Sequence, residues 1–358
     1  VSGHLEAFTD PLIECLICHK RFRADKAEEI KEHEEAGHKV EGKTVKITWT
    51  EPKKFNLLVE AELGVVEGQK QKIYLRGEIT QGAFVNFENV ISSTRVKIPF
   101  GIAQIGKAFR NEITPGNFVY RSREFEQMEL EFFVRPEDSE GDKWFQYWKE
   151  QRMSWYKSLG MDGAKLRFRK HEDDEKAHYA KYAEDIEFEA PFGWSEFEGI
   201  HHRGDWDLSR HKQQYLDDQG QKYTPWVIEA SGGVDRSTLF FLLNAYKQDE
   251  KRTWLSLHPK LAPYKAAIFP LLPNKPELVE KAKGIYDSLK PSFMVAWDDR
   301  GNIGKRYLSQ DEAGTPYCIT VDFETLENDT VTIRDRDTAA QERIEISKLH
   351  DFIFEKIK

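Results

Sequence analysis

The sequence predicts an α+β chain: a larger antiparallel sheet flanked by helices, followed by a small α/β module with a mixed sheet. Three observations predict it. Strand-length runs of alternating apolar and polar residues fill most of residues 55–133, with turn residues between them. A stretch carrying two prolines, LHPKLAP, interrupts the composition between residues 256 and 263. Beyond it strand-like and helix-like runs alternate, giving a compact module of roughly 100 residues. The expected division is a first domain over 1–255, a linker over 256–263 and a second domain over 264–358.

The elements follow in order. Residues 1–50 are charged and rich in histidine, and a helix is expected around Lys26–Gly37. FNLLVEAEL, KIYLRGEI, AQIGKAFRNE and FVYRSREFEQMELEFFV then read as strands. An aromatic-rich helix is expected over Asp142–Leu159, a short strand over Lys165–Arg169 and another helix over Glu175–Ala183. TPWVIEA reads as a strand, SGG as a turn, and the next helix runs from about Val234 to Lys247. The second domain is expected to run strand (KAAIFPLL), helix (ELVEKAKGIYDSLK), strand (FMVAW), loop, two strands (YCITVDF, TVTIRD) and a closing helix (ERIEISKLHDFIFEKI).

Composition narrows the function. The chain has 358 residues, enough for two domains with a sizeable core. Charged residues make up 32% and the net charge is −9, which argues against a polybasic nucleic-acid binder but leaves room for a local basic groove. No apolar run approaches the roughly 18–20 residues of a membrane span. The opening VSGHLEAFTDP has neither the basic start nor the apolar core of a signal peptide. Three cysteines suit a reducing compartment, so the cytoplasm is the expected location. The first residue is Val, which is expected of a trimmed chain.

Three constellations could carry chemistry. In GKAFRNEITPGNFVYRSREFEQMELEFF, strand alternation puts Gly106, Ala108, Arg110 and Glu112 on one face of the first run. It puts Arg121, Arg123, Phe125, Gln127 and Glu129 on one face of the second, with Met128, Leu130, Phe132 and Val134 turned to the core. A hairpin through Ile113–Asn117 presents these together, either as a salt-bridged solvated surface or as a nucleotide site. Arginine forks match phosphate oxygens, and Phe125 can stack on a base. In VIEASGGVDRSTLFFLLNAY, Glu229 ends a strand, and Asp235-Arg236 open a helix whose N-terminus favours anions; a plain helix start with a surface pair is the alternative. In GWSEFEGIHHRGDWDL, Glu196, Glu198, Arg203, Asp205 and Asp207 crowd near aromatic rings, as a site or as a charged loop over a core.

Other motifs are weaker. Cys15-Leu16-Ile17-Cys18 supplies half of a four-ligand zinc site. His19, His33 or His38 could complete it, but a turn with two free thiols is expected and zinc is not. HEEAGH lacks the HExxH spacing, and GNIGK reads as a tight turn with a surface Lys305.

The three constellations together resemble the class II glycyl-tRNA synthetases of the dimeric α2 type. FGIAQIGKAFRNEITPGNFVYRSREFEQMELEFFV is similar to their motif 2, EASGGVDR to motif 3, GWSEFEGIHHRGDWDL to the block between, and GNIGKRYLSQDEAGTPYCITVDFETLENDTVTIRDRDTAAQERI to their anticodon-binding domain. Arg76–Gly82 reads RGEITQG where that family usually has RPETAQG. The chain begins just after the position of motif 1, so dimerisation and full activity are expected of the complete protein. The resemblance implies a class II antiparallel catalytic domain and an α/β anticodon-binding domain. It implies ligation of glycine to tRNA(Gly) through glycyl-adenylate, with ATP, Mg2+ and a homodimer.

By position, the resemblance assigns ATP to Arg110, Asn111, Glu112, Tyr120, Arg121, Arg123, Phe125, Glu196, Phe197, Gly233, Asp235 and Arg236, with Arg110, Glu112 and Arg236 catalytic. It assigns glycine to Arg23, Glu78, Phe125, Glu126, Gln127, Glu129, Arg203, Glu229 and Ser231, and magnesium to Glu196 and Glu229. Basic residues such as Lys305 and Arg306 are expected on the tRNA side. The alternative is a non-catalytic synthetase-like subunit that binds nucleic acid or protein.

Overall fold

The computed structural model describes residues 3–40, 43–66, 68–172 and 180–358. The chain falls into two compact units, residues 1–152 with 167–239 and residues 153–166 with 240–358.

The first unit opens with a small sheet of β1 (Thr9–Glu14), β2 (Arg21–Arg23) and, after helix α1 (Ala27–Ala36), β3 (Lys53–Asn56). FNLLVEAEL is broken: its start belongs to β3, and a separate strand Glu60–Leu63 pairs with Gln71–Tyr74. Two short helices, Gln81–Val85 and Phe87–Thr94, fill a region that had no expectation. The main sheet follows, built from β4 (Phe100–Phe109), β5 (Glu124–Val134), β6 (Leu166–Lys170), β7 (Tyr182–Ala190), β8 (Gly193–Gly204) and β9 (Trp226–Gly233). Helix α2 (Asp138–Ser158) leaves β5, and α3 (Val234–Ala245) leaves β9. Strand order is β6-β7-β8-β9-β5-β4, and the pairs β7–β8, β8–β9, β9–β5 and β5–β4 are antiparallel.

Period-two alternation gives this sheet two different faces. Phe132 and Val134 pack with Ile200, Ile228 and Ala230 against Phe145, Trp144 and Trp148 of α2. Phe133 and Val227, of opposite parity, pack with Phe84 and Phe87 of the short helices. Gln127, Glu129 and Glu131 share the parity of Phe133, so this second face is apolar at one end and polar at the other.

Three local expectations need correction, and one pair of alternatives is resolved. Residues 118–123 are not strand: a 3-10 turn at Phe118–Tyr120 precedes β5. SGG is not a turn, because β9 runs through Gly233 directly into α3. GWSEFEGIHHRG, for which a charged loop was one of two alternatives, is strand β8. The helix expected over Glu175–Ala183 falls partly outside the described residues, and its end, Tyr182-Ala183, opens strand β7.

The second unit holds β10 (Ala266–Pro270), α4 (Pro276–Leu289), β11 (Val295–Trp297), α5 (Ile303–Ala313), β12 (Tyr317–Val321), α6 (Phe323–Asn328), β13 (Thr330–Asp335), β14 (Gln341–Glu345) and α7 (Leu349–Ile357). Its sheet, ordered β11-β10-β12-β13-β14, is mixed: β10 is parallel to both neighbours, and β13 is antiparallel to both of its own. Helix α5 lies where a loop was expected. Its N-cap is Asn302, whose side chain accepts the Lys305 N–H at 2.9 Å. Lys305 is exposed, but Arg306 is buried and donates to the carbonyls of Pro270 (2.7 Å) and Leu271 (3.2 Å), so it is a structural cation and not a tRNA-facing one. The closing helix is shorter than expected because β14 pairs with β13 first.

Candidate active site

Sheet register builds the site. Glu131 of β5 lies opposite Glu229 of β9, and Glu129 lies opposite Ser231. On the other side of β9, His201 of β8 opposes Glu229 and Gly199 opposes Ser231. Two carboxylates directly across a ladder repel, so this pairing does not serve stability. Small residues occupy the neighbouring rows, where Gly106 of β4 opposes Gln127 and buried Ala108 opposes Phe125; a Cβ on Gly106 would meet Arg76 Nη2 at 3.1 Å. Beside them Gly232 permits close packing, since a Cβ there would meet Met128 Cε at 2.7 Å and Glu198 Oε2 at 3.0 Å.

Above this floor is an open cleft of about 870 Å³. Arg110, Glu112, Tyr120, Arg121 and Phe125 line one wall. Glu196, Phe197, Asp235 and Arg236 line the facing wall, while Glu126, Gln127, Ser231 and Gly233 reach it from the floor. Arg110 donates through Nε to the Gly77 carbonyl at 3.0 Å, and its guanidinium lies 5.3 Å from the Phe125 ring. At the start of α3 the Asp235 carboxylate accepts the Glu126 N–H at 2.8 Å, tying helix to strand. Arg236 donates to the Tyr120 carbonyl (2.9 Å) and to Glu196 Oε1 (2.9 Å), with its guanidinium 4.4 Å from the Tyr120 ring. Burial works to raise the Glu196 carboxyl, but Arg236 and then Arg110 outweigh it and hold the group well below its usual range. Its side chain remains 48% exposed, so the pair adds little to stability and stays open to exchange.

The deeper end is different. Arg203, 2% exposed, donates to Asp207 Oδ2 at 2.7 Å and to Glu229 Oε2 at 2.5 Å. His201 Nδ1 lies 2.6 Å from the other Glu229 oxygen. Burial pushes Glu229 up, yet Arg203 and His201 overcome it and keep the group ionised. Glu129 accepts from Ser231 Oγ at 3.0 Å, and neither Glu131 oxygen has a hydrogen-bond partner among the described residues. Burial first, and then the Glu229 charge, push both Glu129 and Glu131 well above the usual carboxylate range. Glu78 joins the group through Gln81, whose Nε2 donates to Glu78 (3.3 Å) and Asp207 (3.0 Å). Burial opposes its ionisation, and His4, 3.3 Å away, with Arg203 restores it.

The remaining candidates are spread out. Arg23, paired with Asp10 at 3.0 Å, opens onto an adjoining groove that Arg110 and Glu112 also line. Arg123 is exposed and donates weakly to the Glu112 carbonyl, and the Asn111 N–H is tied to the Leu57 carbonyl. Glu196 and Glu229 do not form one ligand pair. His201 is the cross-strand neighbour of Glu229, and Glu196 lies five residues back along β8, a separation of about 16 Å. The carboxylates that do converge are Glu129, Glu131 and Glu229, with oxygens within 4.8 Å of one another. Cys15 and Cys18 are free thiols, and His33 and His38 lie close to them, the four ligand atoms within 4.8 Å of one another.

Sequence reasoning missed Glu131, His201 and Gln81 as site members. Glu131 continues the spacing of Gln127 and Glu129 and was within reach. His201 and Gln81 needed the cross-strand register and the helix packing.

A six-stranded sheet, antiparallel over β7, β8, β9, β5 and β4, with Arg110 just after β4 at the base of the hairpin and Arg236 at the start of α3, defines the catalytic core of a class II aminoacyl-tRNA synthetase. Family models agree: "tRNA synthetase class II core domain (G, H, P, S and T)" matches residues 63–246, and "Anticodon binding domain" matches residues 265–356. A glycine–tRNA ligase of Streptomyces coelicolor is 46% identical over 99% of this chain and 83% of its own length. One from Borrelia garinii is 49% identical over 98% and 80%, and one from Clostridium kluyveri 47% over 100% and 83%. The chain belongs to the glycine–tRNA ligase family. Among the described residues no helix is long and apolar enough to cross a membrane.

Proposed function

We propose that the shallow end of the cleft holds ATP and the deep end holds glycine, so that the chain forms glycyl-adenylate and then charges tRNA(Gly). The observation that carries this reading is the sorting of charge along the cleft: Arg110 sits beside Arg123 at one end, and the buried carboxylates Glu129 and Glu131 lie six and eight residues further along β5, with Glu229 opposite Glu131.

In the first step a glycine carboxylate oxygen attacks the α-phosphorus and pyrophosphate leaves. No side-chain nucleophile is needed; alignment and charge stabilisation suffice. Arg110 and Arg236 offer forks to the phosphates, Glu112 and Asn111 lie at the nucleotide side, and Phe125 offers a ring to adenine. Arg121, Arg123, Tyr120, Phe197, Gly233 and Asp235 complete that wall. In the second step a hydroxyl of the terminal tRNA ribose attacks the activated carbonyl and AMP leaves.

Glycine has no side chain to grip. Its ammonium suits the carboxylates of Glu78, Glu129 and Glu229, with Ser231 and the floor residues Glu126 and Gln127 limiting space for a methyl group. Arg203 keeps Glu229 ionised and oriented for that task, and Arg23 approaches from the adjoining groove. A magnesium carried in with ATP fits a half-exposed hard oxygen donor at Glu196, beside the phosphate arginine. It would offset phosphate charge there; Glu229 is too far away to share it.

We assign residues 1–255 to catalysis and 264–358 to anticodon binding, with 256–263 joining them, and infer a cytoplasmic homodimer for the complete protein. A merely binding relative would leave Arg110, Phe125 and Arg236 gathered without a task. The test is glycine-dependent ATP–pyrophosphate exchange, with alanine and serine as controls. Exchange with glycine alone is expected; equal exchange with alanine would reject the glycine pocket.

A further inference from the structure

Helix α1 presents a problem of physical stability. It is ten residues long, seven of them charged or histidine, and none is buried. A helix with no apolar face to bury has little to hold it in place. The small sheet beside it, β1-β2-β3, contributes only a thin core around Ile13 and Cys15. Something other than hydrophobic packing must fasten this segment.

We propose that Cys15, Cys18, His33 and His38 bind one zinc ion in a closed tetrahedral site that staples α1 to the β1–β2 hairpin. The four ligand atoms lie within 4.8 Å of one another. Cys18 Sγ is 3.5 Å from His33 Nε2, and His38 Nε2 is 3.1 Å from the same atom. A tetrahedral zinc with ordinary bond lengths puts its sulfur and nitrogen ligands about 3.6 Å apart and two nitrogens about 3.3 Å apart. An imidazole nitrogen carries either one hydrogen or one in-plane lone pair. It cannot satisfy a thiol and a second imidazole together, whereas a cation at the shared focus satisfies all three.

The chain is shaped to make this focus. The His19 N–H donates to the Cys15 carbonyl at 2.9 Å, and the Cys15 N–H donates to the Lys20 carbonyl at 2.9 Å, closing a tight knuckle around the two cysteines. Backbone N–H groups of Ile17 and Cys18 hydrogen-bond toward the Cys15 sulfur. His33 and His38 are five residues apart and would not share a face of a continuous helix. Helix α1 stops at Ala36, and Gly37, at φ 62°, turns the chain so that His38 returns beside His33. Two thiolates and two imidazoles select zinc over the hard cations, and the spacing C-x2-C-x14-H-x4-H lies within the range of such sites. Binding balances as one Zn2+ taken up and two thiol protons released.

The site is separate from the cleft and the inference stands without the functional reading, although it has a consequence for it. The Phe22 ring packs 4.7 Å from the His33 ring, and the next residue, Arg23, points into the groove beside Arg110 and Glu112.

The test uses the full chain purified from zinc-supplemented medium and dialysed. Elemental analysis should find one zinc per chain, and cobalt substitution should give the visible bands of a tetrahedral thiolate site. Cys18→Ser, His33→Asn and His38→Asn should each lose the bound zinc and become sensitive to protease within residues 15–50. His19→Ala, in the knuckle but outside the ligand set, should keep both metal and protection. Far-UV circular dichroism separates metal loss from global unfolding. Zinc-free wild type from supplemented medium, or unchanged cobalt bands in both histidine variants, would overturn the proposal.

Discussion

The two ends of the cleft hold charge by opposite means. At the shallow end Arg110, Arg121 and Arg236 pair with partly exposed acids and with backbone carbonyls, so water screens them and a ligand can replace their partners. At the deep end Glu129, Glu131 and Glu229 are buried: Arg203 and His201 hold Glu229, Ser231 donates to Glu129, and neither Glu131 oxygen has a partner among the described residues. A screened arginine cluster is ready for an anion of several charges. A buried cluster of carboxyl groups, with Glu229 held ionised, is ready for one small cation. The difference teaches that this sheet face is sorted for a zwitterion joined to a polyphosphate, and that only the deep end is held at a cost in stability.

That contrast can be broken by substitution. Arg203→Met should have the largest effect. Removing one partner of a buried pair leaves Glu229 and Asp207 uncompensated and costs about 3–5 kcal/mol, read as a fall in the urea midpoint. A loss of activity with unchanged stability would mean the deep end is not strained as described. Arg110→Ala and Arg236→Ala at the shallow end should leave the midpoint nearly unchanged while lowering the exchange rate roughly 10²–10³-fold. If either variant unfolds instead, the shallow cluster is structural.

Glu131→Gln sharpens the comparison through pH. The folded carboxyl is raised above its ordinary value of 4.5, by burial and then by Glu229. A raised group lends stability fully below that value and loses it as pH rises toward the folded value. Wild-type stability should therefore fall with increasing pH above the ordinary carboxylate range. Glu131→Gln should flatten the slope, gaining about 1–3 kcal/mol where Glu131 would otherwise ionise. An unchanged thermal-melt profile across pH would show that Glu131 does not carry the proton. Ser231→Ala should have the smallest effect, about 1 kcal/mol from the lost hydrogen bond to Glu129, seen as a modest rise in KM for glycine with KM for ATP unmoved.

How much of this was legible in sequence also differs between the ends. Alternation placed Phe125, Gln127 and Glu129 on one face of β5, because strand periodicity is local. The meeting of Glu229 with Glu131 and His201 depends on which strands are neighbours and in what register, and sequence spacing does not encode that. Elsewhere the failures were local. Asn302 is a readable N-cap, yet two glycines in GNIGK masked the start of α5. The first strand of ERIEISKLHDFIFEKI has helical composition and is strand because β13 offers it a partner. His33 and His38 were among the residues that could complete the Cys15 and Cys18 pair, but spacing does not show that the helix end at Gly37 turns His38 back beside His33.

The most direct test of the division of the cleft is a paired measurement of KM for glycine and for ATP in pyrophosphate exchange, on Arg110→Ala and Ser231→Ala side by side. The account predicts that Arg110→Ala depresses the rate and weakens ATP use while leaving KM for glycine close to wild type. It predicts that Ser231→Ala raises KM for glycine alone. Equal shifts for both substrates in both variants would contradict it.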